Sequence, residues 1–286
     1  MIAAETVRIF APAKINLFLH VDGKRADGYH ELESLVVFAR VGDELAFKPA
    51  DEFSLAIDGP FANALSSDSD NLVLKAARVL AAHVGVRNGA SIALTKNLPV
   101  ASGIGGGSTD AAATLRGLNL LWQKHLASGE LRTIAAQIGS DVPVCVESTP
   151  AWMGGRGEKV MALDGIPEVP MVLVNPGVAV PTGKVFAALQ ERRGVGLPPP
   201  CGIKNASELV AYLKATTNDL QAPARAIAPV IGEVLEALAS QPDALLTRMS
   251  GSGATCFALF ESVISAQKAA TVIRTQHSDW WVAEAA

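Results

Sequence analysis

Four glycines, Gly103, Gly105, Gly106 and Gly107, follow Pro99 in the stretch LPVASGIGGGSTDAA at 98–112. Backbone this bare lets N–H groups converge on an anion with no Cβ in the way. Beyond it Ala111, Leu115, Leu118 and Trp122 recur at helical spacing, so a helix is predicted to begin at Ser108. Its positive end and unpaired N–H groups would face the same spot. Ser108 and Thr109, in the first turn, add hydroxyls suited to a phosphate oxygen or a Mg²⁺ ion. The chemistry indicated is phosphate binding, yet two familiar motifs fail. No lysine follows the last glycine as a P-loop requires, and Ser108 stands where a dinucleotide fingerprint has its third glycine. Composition alone leaves a flexible, capped surface turn as the alternative.

Other residues could complete such a site. A second bare turn, Ser250-Gly251-Ser252-Gly253, lies in RMSGSGATCFALF and leads into a strand. In VRIFAPAKINLFLHV, Ile15, Leu17, Leu19 and Val21 share one face, while Lys14, Asn16 and His20 share the other. The second set is expected to face solvent or a ligand. Asp141 follows Gly139 in GSDVPV, and Tyr29-His30 form a loop pair. Read locally, Asp141 is a turn or capping residue, Lys14 a solvated strand lysine and Lys96 an exposed lysine at a strand end.

The elements that must position them alternate strand and helix. Residues 7–21 read as extended with a break at Pro12, followed by strands in ELESLVVFAR, DELAFKP and FSLAID. NLVLKAARVLAAHV is a helix with Asp70 or Asn71 as N-cap and Gly85 as terminator. SIALTKN is a strand entering the glycine run, and ELRTIAAQI a short helix ending at Gly139. Later come a strand in MVLVNPG, prolines at 198–200, helices near 205–215 and 223–240, and a closing helix. The Pro/Gly-punctuated region 148–170 is the expected domain boundary, dividing the chain into 1–152 and 153–286.

Composition bounds the rest. With 28 acidic against 24 basic residues the formal charge is -4, and no Lys/Arg tract occurs, which argues against a nucleic-acid-coating role. Cys145, Cys201 and Cys256 are far apart and are expected as reduced core residues. No stretch has a leader pattern or the apolar length of a membrane span. The expectation is a cytoplasmic protein, monomer or homodimer, with no nucleic-acid or membrane partner.

PVASGIGGGSTDAA resembles the central motif of the GHMP small-molecule kinases, P-x-x-x-G-L-G-S-S-A-A. The matching residues are Pro99, Gly103, Ile104, Gly105, Gly106-Gly107-Ser108 and Ala111-Ala112, with two residues more than the generic form. That longer run and APAKINLFLHVDGKRADGYHE, with its DGYH tetrad, are similar to one branch of the family. Its acceptor is a cytidine-diphosphate-linked methylerythritol, in the non-mevalonate route to isoprenoids. RMSGSGATCFALF resembles the third family motif, and with GSDVPV the matches run in the expected order.

The resemblance implies an α+β, two-domain GHMP kinase fold with the active site in the cleft between domains. Residues 1–152 would bind ATP and 153–286 would form the substrate side. The γ-phosphate of ATP would pass to the acceptor's 2-hydroxyl, with Mg²⁺ on the phosphates. Lys14 and Asp141 match the catalytic lysine and the aspartate base. Lys96 matches a residue near adenine, while Pro99, Gly103, Gly105, Gly106, Gly107, Ser108 and Thr109 belong to the ATP motif, with Ser108 the metal ligand. Asn16, Tyr29, His30, Thr182 and Phe186 match the substrate side: Tyr29 would stack on the cytosine, His30 bind its polar edge and Phe186 close its other face. Ser250, Gly251, Ser252 and Gly253 would close the cleft beside the phosphates. Asp110 adds a charge one turn from those phosphates, so it is expected to point outward or to serve the helix N-terminus. Other readings are another GHMP acceptor, the related diphosphomevalonate decarboxylase, or a catalytically dead sensor. The DGYH tetrad and the glycine run speak against the first two, and retention of Lys14 and Asp141 against the third.

Overall fold

One strand, β3 (His30–Ala50), runs for 21 residues and supplies hydrogen-bonding edges to both halves of the protein. The computed structural model describes residues 6–26, 28–68, 70–190 and 194–285; Asp27 of the DGYH tetrad lies outside them. By contacts the chain divides into two units. The first takes the described residues to Lys14, Gly42–Val100 and Gly105–Ser148; the second takes Ile15–Val41, Ala101–Ile104 and the described residues from Thr149 on.

In the first unit β3 pairs antiparallel with β5 (Gly89–Thr95), from Glu44 opposite Thr95 to Ala50 opposite Gly89. β4 (Ser54–Asp58) adds to β5 in parallel. Alternation buries Leu45 and Phe47 from β3 and Ala90, Ile92 and Leu94 from β5. Two helices, α1 (Leu72–Val84) and α2 (Gly106–Leu121), pack on each other. α2 lies so close to the sheet that a Cβ on Gly117 would overlap the Phe47 ring. Asn71 caps α1 through the Val73 N–H, and Gly85, at φ 68°, ends it, as the sequence predicts. α3 (Ser128–Ala135) follows.

The second unit pairs the N-terminal part of β3 with β2 (His20–Lys24) and with β6 (Ala151–Gly155), which pairs with β7 (Lys159–Ala162). A separate antiparallel sheet has the order β11–β8–β10–β9: β8 (Met171–Asn175), β9 (Ala244–Met249), β10 (Cys256–Phe260) and β11 (Trp281–Ala285). Its helices are α4 (Thr182–Ala187), α5 (Ala206–Lys214), α6 (Gln221–Ile227), α7 (Val230–Ala239) and α8 (Val263–Gln276). Val172, Val174, Val185, Ile231, Val234, Leu238, Phe260 and Ile273 are at the heart of its core.

Several expectations are corrected. β1 (Val7–Asn16) runs through Pro12 without a break. It pairs with β3, which keeps it extended across the proline. The two strands expected between 31 and 49 are one, because Gly42 has no Cβ to strike the Ala11 carbonyl and the Phe10 ring. The 223–240 helix is two, parted at Ala228-Pro229. The last helix is followed by β11. Cys145 and Cys256 are buried, but Cys201 is exposed.

Candidate functional site

In the first unit β1 brings Lys14 to Asp141, whose Oδ2 accepts from Nζ at 2.6 Å. The lysine is 3 % exposed and the aspartate side chain 36 %. Lys14, Asn16 and His20 are all buried, so of the two expectations for this face, solvent or a ligand, solvent is excluded. Gly105 makes room for this approach: a Cβ there would stand 3.0 Å from Lys14 Cβ and Cε. The stem of the lysine thus passes the turn that opens α2.

That turn has the left-handed backbone glycine favours, with φ 79° at Gly103 and 65° at Gly105. α2 starts at Gly106, two residues before Ser108, and its first intrahelical bond runs from Thr109 N to Gly105 O at 2.9 Å. The N–H groups of Gly106, Gly107 and Ser108 precede that bond and have no acceptor within the helix. Gly107 is exposed, Ser108 half-buried and Pro99 buried. Thr109 is not available as expected: it is buried, and its hydroxyl donates to Gly106 O.

Two further expectations are corrected here. Lys96 is not the exposed strand-end lysine that its local sequence suggests. It is 1 % exposed, and its Nζ donates to Asp43 Oδ2 at 2.5 Å and Asp110 Oδ2 at 2.6 Å. Asp110 points inward, onto Lys96, and neither outward nor onto the helix end. Burial pushes its carboxyl up to about 7 against the pull of Lys96. Burial also works to lower the Lys96 ammonium, but the two carboxylates outweigh it and hold it above its ordinary value. Sequence reasoning missed Asp43, which reads only as the start of a strand after Gly42.

In the second unit the two glycine turns meet backbone to backbone. A Cβ on Gly103 would overlap the Ser250 carbonyl, and Gly251, at φ 54°, lies as tightly on the Gly103 carbonyl. Ser250 Oγ accepts the Asn16 N–H and donates to Gly103 O, each at 3.1 Å. Asn218 donates to the Met249 and Gly251 carbonyls and pins the same turn. Ser252 Oγ meets Thr182 Oγ1 at 2.9 Å. Ser34 donates to the Phe18 carbonyl, so toward Asn16 it only accepts, which fixes Asn16 Nδ2 on Ser34. Asn16 Oδ1 is left buried without a hydrogen bond. His30 stacks on Phe186 with ring centroids 5.1 Å apart, while half-exposed Tyr29 carries the Arg156 guanidinium 5.1 Å over its ring. Neither Ser34 nor Arg156 stands in a motif that marks it for this site.

A sequence profile of the GHMP kinases N terminal domain matches residues 71–149, and one of GHMP kinases C terminal matches 203–279. The chain belongs to the GHMP kinases. This GHMP kinase is 50 % identical over 275 residues to a 4-diphosphocytidyl-2-C-methyl-D-erythritol kinase of Parvibaculum lavamentivorans, covering 95 % of each chain. It is 51 % identical over 277 residues to a protein of the same name from Cereibacter sphaeroides, covering 96 % of each. A crystal structure of 4-(cytidine 5'-diphospho)-2C-methyl-D-erythritol kinase superposes with a TM-score of 0.76 at 31 % identity, over 97 % of this chain and 98 % of that one. Homoserine kinase from Cytophaga hutchinsonii shares the fold, with a TM-score of 0.70 at 18 % identity, over 100 % and 96 %. Both GHMP domains are present in a chain of mixed helix and sheet, and the kinase family implies ATP as donor.

Among the described residues no helix is long and apolar enough to cross a membrane. No cluster of three or more His, Cys, Asp or Glu among them could hold a metal ion.

Proposed function

We propose that this GHMP kinase transfers the γ-phosphate of ATP to the 2-hydroxyl of 4-diphosphocytidyl-2-C-methyl-D-erythritol, in non-mevalonate isoprenoid precursor synthesis. The observation that carries the transfer is the Lys14–Asp141 pair beside the bare turn of Gly105. The acceptor rests on relatives of that name at about half identity along nearly the whole chain.

Phosphoryl transfer is mainly positioning and charge neutralisation. The Gly106, Gly107 and Ser108 N–H groups hold phosphate oxygens at the positive end of α2. Bound Mg-ATP supplies the phosphoryl group and the metal's neutralising charge, with Ser108 as protein ligand. Asp141 orients the acceptor hydroxyl and takes its proton as the oxygen bonds to phosphorus and ADP leaves. Lys14 holds Asp141 in place and polarises the hydroxyl. Tyr29, His30 and Phe186 bind the cytosine, and Asn16 and Thr182 the remainder of the acceptor. Cysteines without disulfides suit a reducing compartment, so we place the reaction in the cytoplasm.

The test is ADP release from Mg-ATP with a panel of acceptors. Release with diphosphocytidyl-methylerythritol alone is expected. Release with homoserine or mevalonate instead would redirect the acceptor, and none with any acceptor would leave a binding protein.

A further inference from the structure

Lys96 and its two carboxylates take no part in the mechanism above, yet they lie under the loop that serves it. Asp43 Oδ1 accepts the N–H groups of Asn97 at 2.6 Å and Leu98 at 2.9 Å, fixing the chain where β5 leads into the loop. Its Oδ2 holds Lys96 Nζ, and the same ammonium holds Asp110, in α2 just beyond the loop. One lysine therefore ties the two feet of the glycine loop together. Gly106 admits it, since a Cβ there would stand 3.0 Å from Lys96 Nζ.

Burying three charged groups is expensive, and a hydrophobic trio of equal volume often serves stability as well or better. With all three ionised the cluster is also net negative, so it does not attract phosphate. What it supplies is geometry. We propose that Asp43 and Asp110 are positioning residues for nucleotide binding, clamping the feet of the glycine loop through Lys96 so that its N–H groups are aligned before the phosphates arrive. The proposal rests on the kinase reading and names residues which that reading leaves unused.

The experiment measures KM for ATP and for the acceptor, the Kd of a non-hydrolysable ATP analogue, and Tm, on Asp43→Asn, Asp110→Asn and Lys96→Arg. Loss of preorganisation in Asp43→Asn is expected to raise the analogue Kd and KM for ATP by about tenfold or more, with the acceptor KM changed less than about twofold. Asp110→Asn keeps the first foot and the Lys96–Asp43 pair, so a smaller rise, about threefold, is expected. Lys96→Arg, which keeps the charge, should fall between wild type and Asp43→Asn. An analogue Kd at the wild-type value in folded Asp43→Asn overturns the clamp, even if Tm falls. Should Asp43→Asn not fold, an unchanged Kd in Asp110→Asn overturns it instead. A wild type that binds the analogue but phosphorylates no acceptor defeats the kinase reading, while the Kd series still decides the clamp.

Discussion

A single 2.6 Å bond joins Lys14, almost wholly buried, to Asp141, whose side chain is 36 % exposed. The pair is rooted at its lysine and open at its aspartate. A base that must meet an incoming hydroxyl needs that asymmetry, and two buried partners in a purely structural bridge would not show it. Asp141→Asn is expected to keep the fold and both substrate affinities while kcat falls about 10²–10⁴-fold. Lys14→Met should fall comparably, and the double variant should be little worse than the worse single, because the two act as a unit. ADP release under saturation measures all three. A kcat near wild type in Asp141→Asn would falsify the assignment.

The four glycines of the loop are not equivalent, and stability should separate them. Gly103 has φ 79° and no room beside the Ser250 carbonyl, whereas a Cβ on Gly107 would make only a 3.4 Å contact with Leu72 Cδ1. Gly103→Ala therefore carries a left-handed penalty of about 1–2 kcal/mol plus the overlap. Gly107→Ala sits in a helical turn and should remain within about 1 kcal/mol of wild type, on the stable side if anything. Thermal unfolding of the two variants distinguishes them, and equal losses of Tm would refute the account.

How much was legible follows from the range of each interaction. The α1 cap, its Gly85 terminator and the glycine loop are local features, and the sequence announces them. The approach of Lys14 to Asp141 spans 127 positions; only resemblance to a family put the two together, and alternation alone left Lys14 facing solvent or a ligand. Lys96 misled for the same reason. A strand-end lysine is ordinarily exposed, and its fate was decided by Asp43, 53 positions back, and by an aspartate expected to point away. Long-range pairing with β3 also carried β1 through the break expected at Pro12.

The thiols give a prediction with a definite sign in pH. Burial, the largest effect, pushes Cys145 from 9.0 up to about 12 and moves Cys256 in the same direction. A folded-state acid raised above its unfolded value contributes stability that is full below the unfolded pKa and is lost as pH rises toward the folded one. Stability should therefore be flat in this respect below pH 9 and fall between about 9 and about 12. Cys145→Ala should flatten part of that fall, as urea midpoints across the range would show. At pH 8, native protein should react with a thiol reagent at exposed Cys201 alone, and unfolded protein at all three cysteines. Fast native labelling of Cys145 would contradict its burial.

Glu33 offers a last test, local where the others are global. Its buried carboxylate accepts Gly196 N at 3.1 Å and Leu197 N at 3.0 Å, and Tyr212 donates to the Pro198 carbonyl at 3.0 Å. These bonds hold down a segment whose three prolines, 198–200, exclude helix and ladder alike. Hydrogen bonds to a charged group contribute about 1.5–3 kcal/mol, so Glu33→Ala should raise the open population of this segment by roughly tenfold or more. Tyr212→Phe removes one neutral-acceptor bond, worth about 1 kcal/mol, and should raise it about fivefold. Limited proteolysis read by mass spectrometry should show new cleavage within 194–200 in that order, with the cores of both units resistant. Uniform acceleration of cleavage along the whole chain would mean that Glu33 supports the fold at large and not this segment.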